Sequence, residues 1–128
     1  MLRTEQRRSS EDQKLPKIMV KAKIKITAPV VTLVEVFSPA LNISGSGMCF
    51  FTGVEIKIVP NAAVKPHCYL EFRLPDEITF IKCQAKVVRC QKSEKDGLYE
   101  VGVEFSDITD ADREEICELV EAHLPKGR

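Results

Sequence analysis

Two stretches of this sequence carry side chains suited to gripping a planar, anionic ligand. The first holds Arg3, Arg7 and Arg8, the last two within Glu5-Gln6-Arg7-Arg8. Each guanidinium presents a fork of donors that matches phosphate oxygens or the O6/N7 edge of guanine, and its flat face stacks on a base. The second is Asn42-Ile43-Ser44-Gly45-Ser46-Gly47. Asn42 joins a donor and an acceptor on one amide, and Ser44 adds a hydroxyl. Gly45 and Gly47 let a backbone approach the ligand or take positive φ. Alone, a basic arm is usually a solvated tail and an Asn-Ser-Gly cluster a plain turn.

Catalysis and metal binding find less support. The two histidines are His67 and His123. His67 precedes Cys68 in a strand pattern, where neighbouring side chains point to opposite faces, so the two do not make a nucleophilic pair. His123 falls near the C-terminus of a helical pattern, where the helix dipole favours a structural imidazolium. The five cysteines, Cys49, Cys68, Cys83, Cys90 and Cys117, are odd in number and widely spaced, with no Cys-x-x-Cys. That pattern disfavours both a disulfide framework and a zinc cage and fits free, mostly buried thiols in a reducing compartment. The chain reads as a binding module, not an enzyme, with no metal and no cofactor.

At 128 residues and 44% hydrophobic, the chain has material for one domain and one core. Lys+Arg 19 balance Asp+Glu 19, and two Tyr with no Trp provide few stacking platforms, so a nucleic-acid polymer is not an expected partner. The balance hides an asymmetry. Cations predominate over residues 1 to 25, whereas residues 104 to 121 hold eight carboxylates against Arg113 alone. The N-terminus lacks a signal-peptide core, and the uncharged run from Val36 to Val54 is mostly interrupted by Pro39 and glycines. A cytoplasmic chain without membrane insertion is expected.

Residues 1–17 show no hydrophobic period and read as a flexible arm ahead of a domain spanning 18–125. From Ile18 to Ile26 apolar residues alternate with Met19, Lys21, Lys23 and Lys25, which predicts a half-buried strand with a basic outer face. Further strands are expected at Thr32 to Phe37, Met48 to Phe51, Val54 to Val59, His67 to Leu74, Ile78 to Gln91 and Leu98 to Phe105. A turn is expected between Ser38 and Gly47. Ile116, Leu119, Val120 and Leu124 then recur at helical spacing, predicting one helix over about 110–124, with Thr109 and Asp112 as a variant capping box. The pattern is mainly β: a small antiparallel barrel of six or seven strands with one C-terminal helix.

Taken together and in this order, the pieces resemble the PilZ domain, the bacterial receptor module for cyclic di-GMP. The resemblance rests on the arginine arm, on Asn42 to Gly47 as the family's (Asp/Asn)-x-Ser-x-x-Gly motif, on Phe72-Arg73-Leu74-Pro75-Asp76, on Ala85-Lys86-Val87-Val88-Arg89 and on Tyr99 to Phe105. It implies a ligand, often an intercalated dimer, clamped between the turn and an Arg-x-x-x-Arg arm. Asn42 and Ser44 would bond a guanine edge, Gly47 would permit the turn, and Arg3, Arg7 and Arg8 would meet phosphates or guanines. It further implies a downstream protein effector in motility, biofilm or exopolysaccharide control. The arm departs from the family. Arg3 and Arg7 have the spacing but lie far from the first strand, while the register that pairs Arg8 with position 12 meets Asp12. An adaptor that has lost the ligand is the alternative.

Overall fold

The computed structural model describes residues 17–27, 30–59, 65–76 and 78–122. In β1 (Met19–Ile26) the alternation is realised: Val20, Ala22 and Ile24 are buried, while Lys21, Lys23 and Lys25 face solvent. The other strands are β2 (Thr32–Ile43), β3 (Gly47–Thr52), β4 (His67–Arg73), β5 (Phe80–Lys92) and β6 (Tyr99–Asp107), and α1 (Asp110–Ala122) follows. They form a closed antiparallel barrel in the order β1-β2-β3-β6-β5-β4, with β4 pairing back on β1. Every strand therefore has two neighbours and no edge is open.

Phe50, Leu70, Phe72, Ile81, Val87 and Val101 fill the interior and are wholly or almost wholly buried. Ile116 of α1 joins this core, with Leu119 and Val120 half-buried against it. Thr109 starts the helix as expected: its hydroxyl accepts the Asp112 N–H at 3.1 Å, satisfying one of the free donors of the first turn.

Three expectations need correction. The Val54 to Val59 run is not a strand: residues 55–59 take no regular form. Ile56 is buried and Ile58 half-buried, which imitates a strand's period, but a closed barrel has no edge for a seventh strand to join. The second correction concerns β2, which runs through Ser38 and Pro39 to Ile43 instead of stopping at Phe37. Pro39 lies opposite Met19 at the end of the β1 ladder, and the buried Ser38 hydroxyl accepts the Phe51 N–H at 2.9 Å. A bulge between Ala40 and Asn42 lets the strand continue. Lastly, β5 starts at Phe80, leaving Ile78 exposed in the preceding turn. There Asp76 accepts the N–H groups of Ile78 and Thr79, both at 2.9 Å, and the Thr79 hydroxyl at 2.6 Å. These bonds hold the Asp76 carboxyl below its ordinary pKa, the Thr79 hydroxyl foremost.

Antiparallel connectivity sorts the ends of the barrel. The start of β1, the β2–β3 turn, the β4–β5 turn and the end of β6 leading into α1 all fall at one end. The loop carrying Ile56 falls at the other.

Candidate functional site

Asn42, Ser44 and Gly47 come together in the tight β2–β3 hairpin, at the end of the barrel where α1 packs. Ile43 anchors it in the core while Asn42 and Ser44 are exposed. The Ser44 N–H donates to the Gly47 carbonyl at 2.9 Å, and the Ser44 hydroxyl accepts the Ser46 N–H at 3.2 Å, so the turn is shaped without a ligand.

The glycines serve close approach. Among the described residues the positive-φ glycine is Gly97, at 77°, so neither Gly45 nor Gly47 uses left-handed freedom. A Cβ on Gly47, the first residue of β3, would overlap the Val103 carbonyl of β6, and one on Gly45 would lie 2.7 Å from the Cys117 Sγ of α1. The Phe105 N–H also donates to the Ser46 carbonyl at 2.8 Å. The hairpin is thus pressed against both β6 and the helix, and Gly47 permits the strand contact that seats the turn.

Register extends the site sideways. Asn42 pairs with Cys49, Cys49 with Gly102 and Gly102 with Arg89, a row across four strands on the outer wall. The Arg89 guanidinium folds back over Gly102, close to where a Cβ would stand, and its Nη2 donates to the Cys49 Sγ at 2.9 Å. It therefore lies one strand from Asn42. Strict alternation from Ile81 through Val87 would bury position 89. The bulge between Val87 and Arg89 turns it outward instead, and the sequence pattern gives Arg89 no place in the site. Its one hint is Gly102, a residue without a side chain opposite an arginine.

The arm residues Arg3, Arg7, Arg8 and Asp12 lie outside the described residues. Their point of attachment does not. The Ile18 carbonyl accepts the Ala40 N–H at 2.8 Å, so whatever precedes Lys17 joins the barrel two residues from Asn42. A chain of nine residues spans up to about 30 Å, which brings Arg8 within reach of the whole Asn42–Arg89 row.

The surroundings of the turn are acidic. A groove of about 420 Å³ runs from Ser44 and Gly45 along α1 past Glu114, Glu118 and Glu121, and Glu104 is the residue opposite Gly47. Arg113 lies against the turn at Gly45. The described part of the site thus offers an amide, a hydroxyl and two guanidinium groups within a negative field, a set suited to binding a purine edge and a phosphate. The remaining sequence candidates stay apart from it. His67 Nε2 is 2.8 Å from Gln84 Oε1 on the outer wall. Cys68 faces the core, where burial foremost pushes its thiol up to about 12. His123 lies outside the described residues. Among the described residues no group of three or more His, Cys, Asp or Glu is placed to hold a metal ion, and no helix is long and apolar enough to cross a membrane.

The family model of the PilZ domain matches residues 2–122. The solved structure of the Bacillus subtilis inhibitor of motility (MotI/DgrA) matches with a TM-score of 0.60 at 19% identity, over 90% of this chain and 54% of that one. The chain spans about half the length of that protein, and the similarity is one of fold. No curated protein matches the chain.

Proposed function

This chain belongs to the PilZ domain family, and from that premise we propose that it is a receptor for cyclic di-GMP that passes the second-messenger signal to a protein partner. One observation carries the reading. The Asn42–Ser44–Gly47 turn is intact, held in shape by its own hydrogen bonds, and located where the arm joins the barrel. In this reading Asn42 and Ser44 bond a guanine edge, Arg89 meets a phosphate or stacks on the exposed base, and arm arginines complete the clamp. The relative being an inhibitor of motility supports motility as one process to examine.

The acidic groove defines what the arm must do. Cyclic di-GMP brings two phosphates toward Glu114, Glu118 and Glu121, so cations from outside the barrel are needed to offset that repulsion. Asp12 is the specific observation favouring the second reading, an adaptor without ligand, because a carboxylate in the clamp register adds repulsion in place of a fork. Titration calorimetry separates the two. The receptor gives saturable heats with cyclic di-GMP and far weaker ones with GMP or cyclic di-AMP. Flat heats with cyclic di-GMP well above cellular messenger levels leave the adaptor.

A further inference from the structure

Away from Asn42 and Arg89, the barrel wall formed by β2, β1, β4 and β5 lies outside the ligand site, yet it is charged and apolar in a pattern that folding alone does not require. Lys21, Lys23 and Lys25 line up on β1, and Lys82 and Lys86 continue the positive charge on β5. Against these five cations the outward faces of β2, β1, β4 and β5 hold two carboxylates, Glu35 and Glu71. Between the charges stand apolar side chains that a solvated wall does not need: Phe37 is 68% exposed, Leu33 56% and Tyr69 47%. Phe37, Lys21 and Glu71 fall in one cross-strand row, and Glu35, Lys23 and Tyr69 in the next. Phe37, Tyr69, Lys21 and Lys23, together with Glu35 and Glu71, line an open groove of about 800 Å³.

We propose that this wall is the docking surface for an acidic amphipathic segment of a partner protein. Apolar side chains of that segment would enter the groove between Phe37 and Tyr69, and its carboxylates would meet the β1 lysines. Charge selects the occupant. The chain's own undescribed termini suit the wall poorly: residues 1–16 carry Arg3, Arg7, Arg8 and Lys14 against Glu5, Glu11 and Asp12, and residues 123–128 carry Lys126 and Arg128 with no carboxylate side chain. Both are positive on balance, like the wall. A flat anionic lipid surface would leave the groove unfilled and press Glu35 and Glu71 against like charge. A protein segment fills a concave site with side chains and can set a donor or cation of its own beside Glu35 and Glu71 while its carboxylates meet the lysines. The inference rests on the receptor reading only in supplying that reading's partner with a surface and a chemistry.

The test is an amide NMR titration of the labelled full chain, with and without cyclic di-GMP. The probe is a helical peptide of about four turns bearing two leucines four residues apart and glutamates beside them. A twin with lysine for glutamate, and phosphatidylcholine vesicles containing phosphatidylserine, serve as controls. The acidic peptide should shift amides around Lys21, Phe37 and Tyr69, and its affinity should fall with salt and drop about tenfold in Phe37→Ser and in Lys21→Glu/Lys23→Glu. The lysine twin should do nothing. Both variants keep the core intact and should still bind cyclic di-GMP like the parent. Shifts elsewhere, equal binding by the twin, unchanged affinity in both variants, or no shift at millimolar peptide overturns the proposal. Vesicles binding in the peptide's place would make the wall a membrane surface, and concentration-dependent self-association through it would make the occupant a second copy. Peptide binding without any cyclic di-GMP binding would sink the receptor reading alone.

Discussion

Removing the Arg89 side chain should do two separable things. Its guanidinium covers the Cys49 thiol, so Arg89→Ala should add one reacting thiol to those of exposed Cys117 and half-buried Cys90 in titration with a thiol reagent at neutral pH. Cys68 and Cys83 should stay silent, since burial is the main cause pushing both thiols up to about 12 and the reactive thiolate is scarce. The same variant should lose cyclic di-GMP affinity by about 1.5–3 kcal/mol if a charged hydrogen bond to phosphate is removed, with Arg89→Lys restoring part of it. Asn42→Ala and Ser44→Ala should each cost about 1–3 kcal/mol of binding while the melting temperature hardly moves, because both residues are exposed. Undiminished affinity in all three variants would place the ligand elsewhere, even if the Cys49 result holds.

Elements, not single side chains, decide what Gly47 does. Gly47→Ala should fail first as a fold: its methyl group meets the Val103 carbonyl, so β3 must move off β6, at a cost of about 1–3 kcal/mol. Thermal melting checks this, with Gly53→Ala, which meets nothing within 4 Å, as the neutral control. Thr109→Ala should cost about 1 kcal/mol through loss of the helix cap. In the β4–β5 turn, Asp76 contributes stability above its ordinary value of 3.8 and loses it as pH falls through the lowered folded value. Acid unfolding of Asp76→Asn should accordingly begin from a lower plateau, with less of its stability left to lose. The same elements show which features the sequence pattern reveals. Strict alternation marks β1 and β4, whose inward residues are buried except for half-buried Ile26 at the end of β1, and the Thr109 cap is legible because its chemistry is local. Bulges are not legible: a single extra residue at Val88 reverses the faces after it, and another near Leu41 carries β2 past its proline. Closure is equally hidden, since Ile56 and Ile58 have a strand's period and only the complete barrel denies them a partner. Within the site, the motif residues are visible because their types are unusual for a wall, whereas Arg89 requires the register.

As a whole, the molecule sets a positive barrel wall against a negative helical end, and the two buried thiols tie its stability to alkaline pH. Cys68 and Cys83 have folded values raised to about 12 from 9.0, so their contribution is complete below pH 9. It drains as pH rises toward 12, because the unfolded chain then releases protons that the folded chain retains. Chemical denaturation at pH 8 and pH 10.5 should show the loss, and Cys68→Ala/Cys83→Ala should flatten it. The negative end makes the arm decisive for the ligand. Deleting residues 1–16 should leave the melting temperature nearly unchanged, since the described core lies wholly between Ile18 and Ile116, yet abolish cyclic di-GMP binding. Position 12 then fixes how the arm is used. If Arg8 and position 12 form the clamp, Asp12→Arg exchanges a repulsion for a fork and should tighten binding by about 2–4 kcal/mol, and Arg8→Ala should be the most damaging arm change. If Arg3 and Arg7 form it, Asp12 faces water, Asp12→Arg yields a small gain that vanishes at high salt, and Arg7→Ala does the damage. Calorimetry on these variants at low and high salt distinguishes the registers, and equal affinities throughout would mean that Arg89 of the barrel and Arg113 of α1 hold the phosphates without the arm.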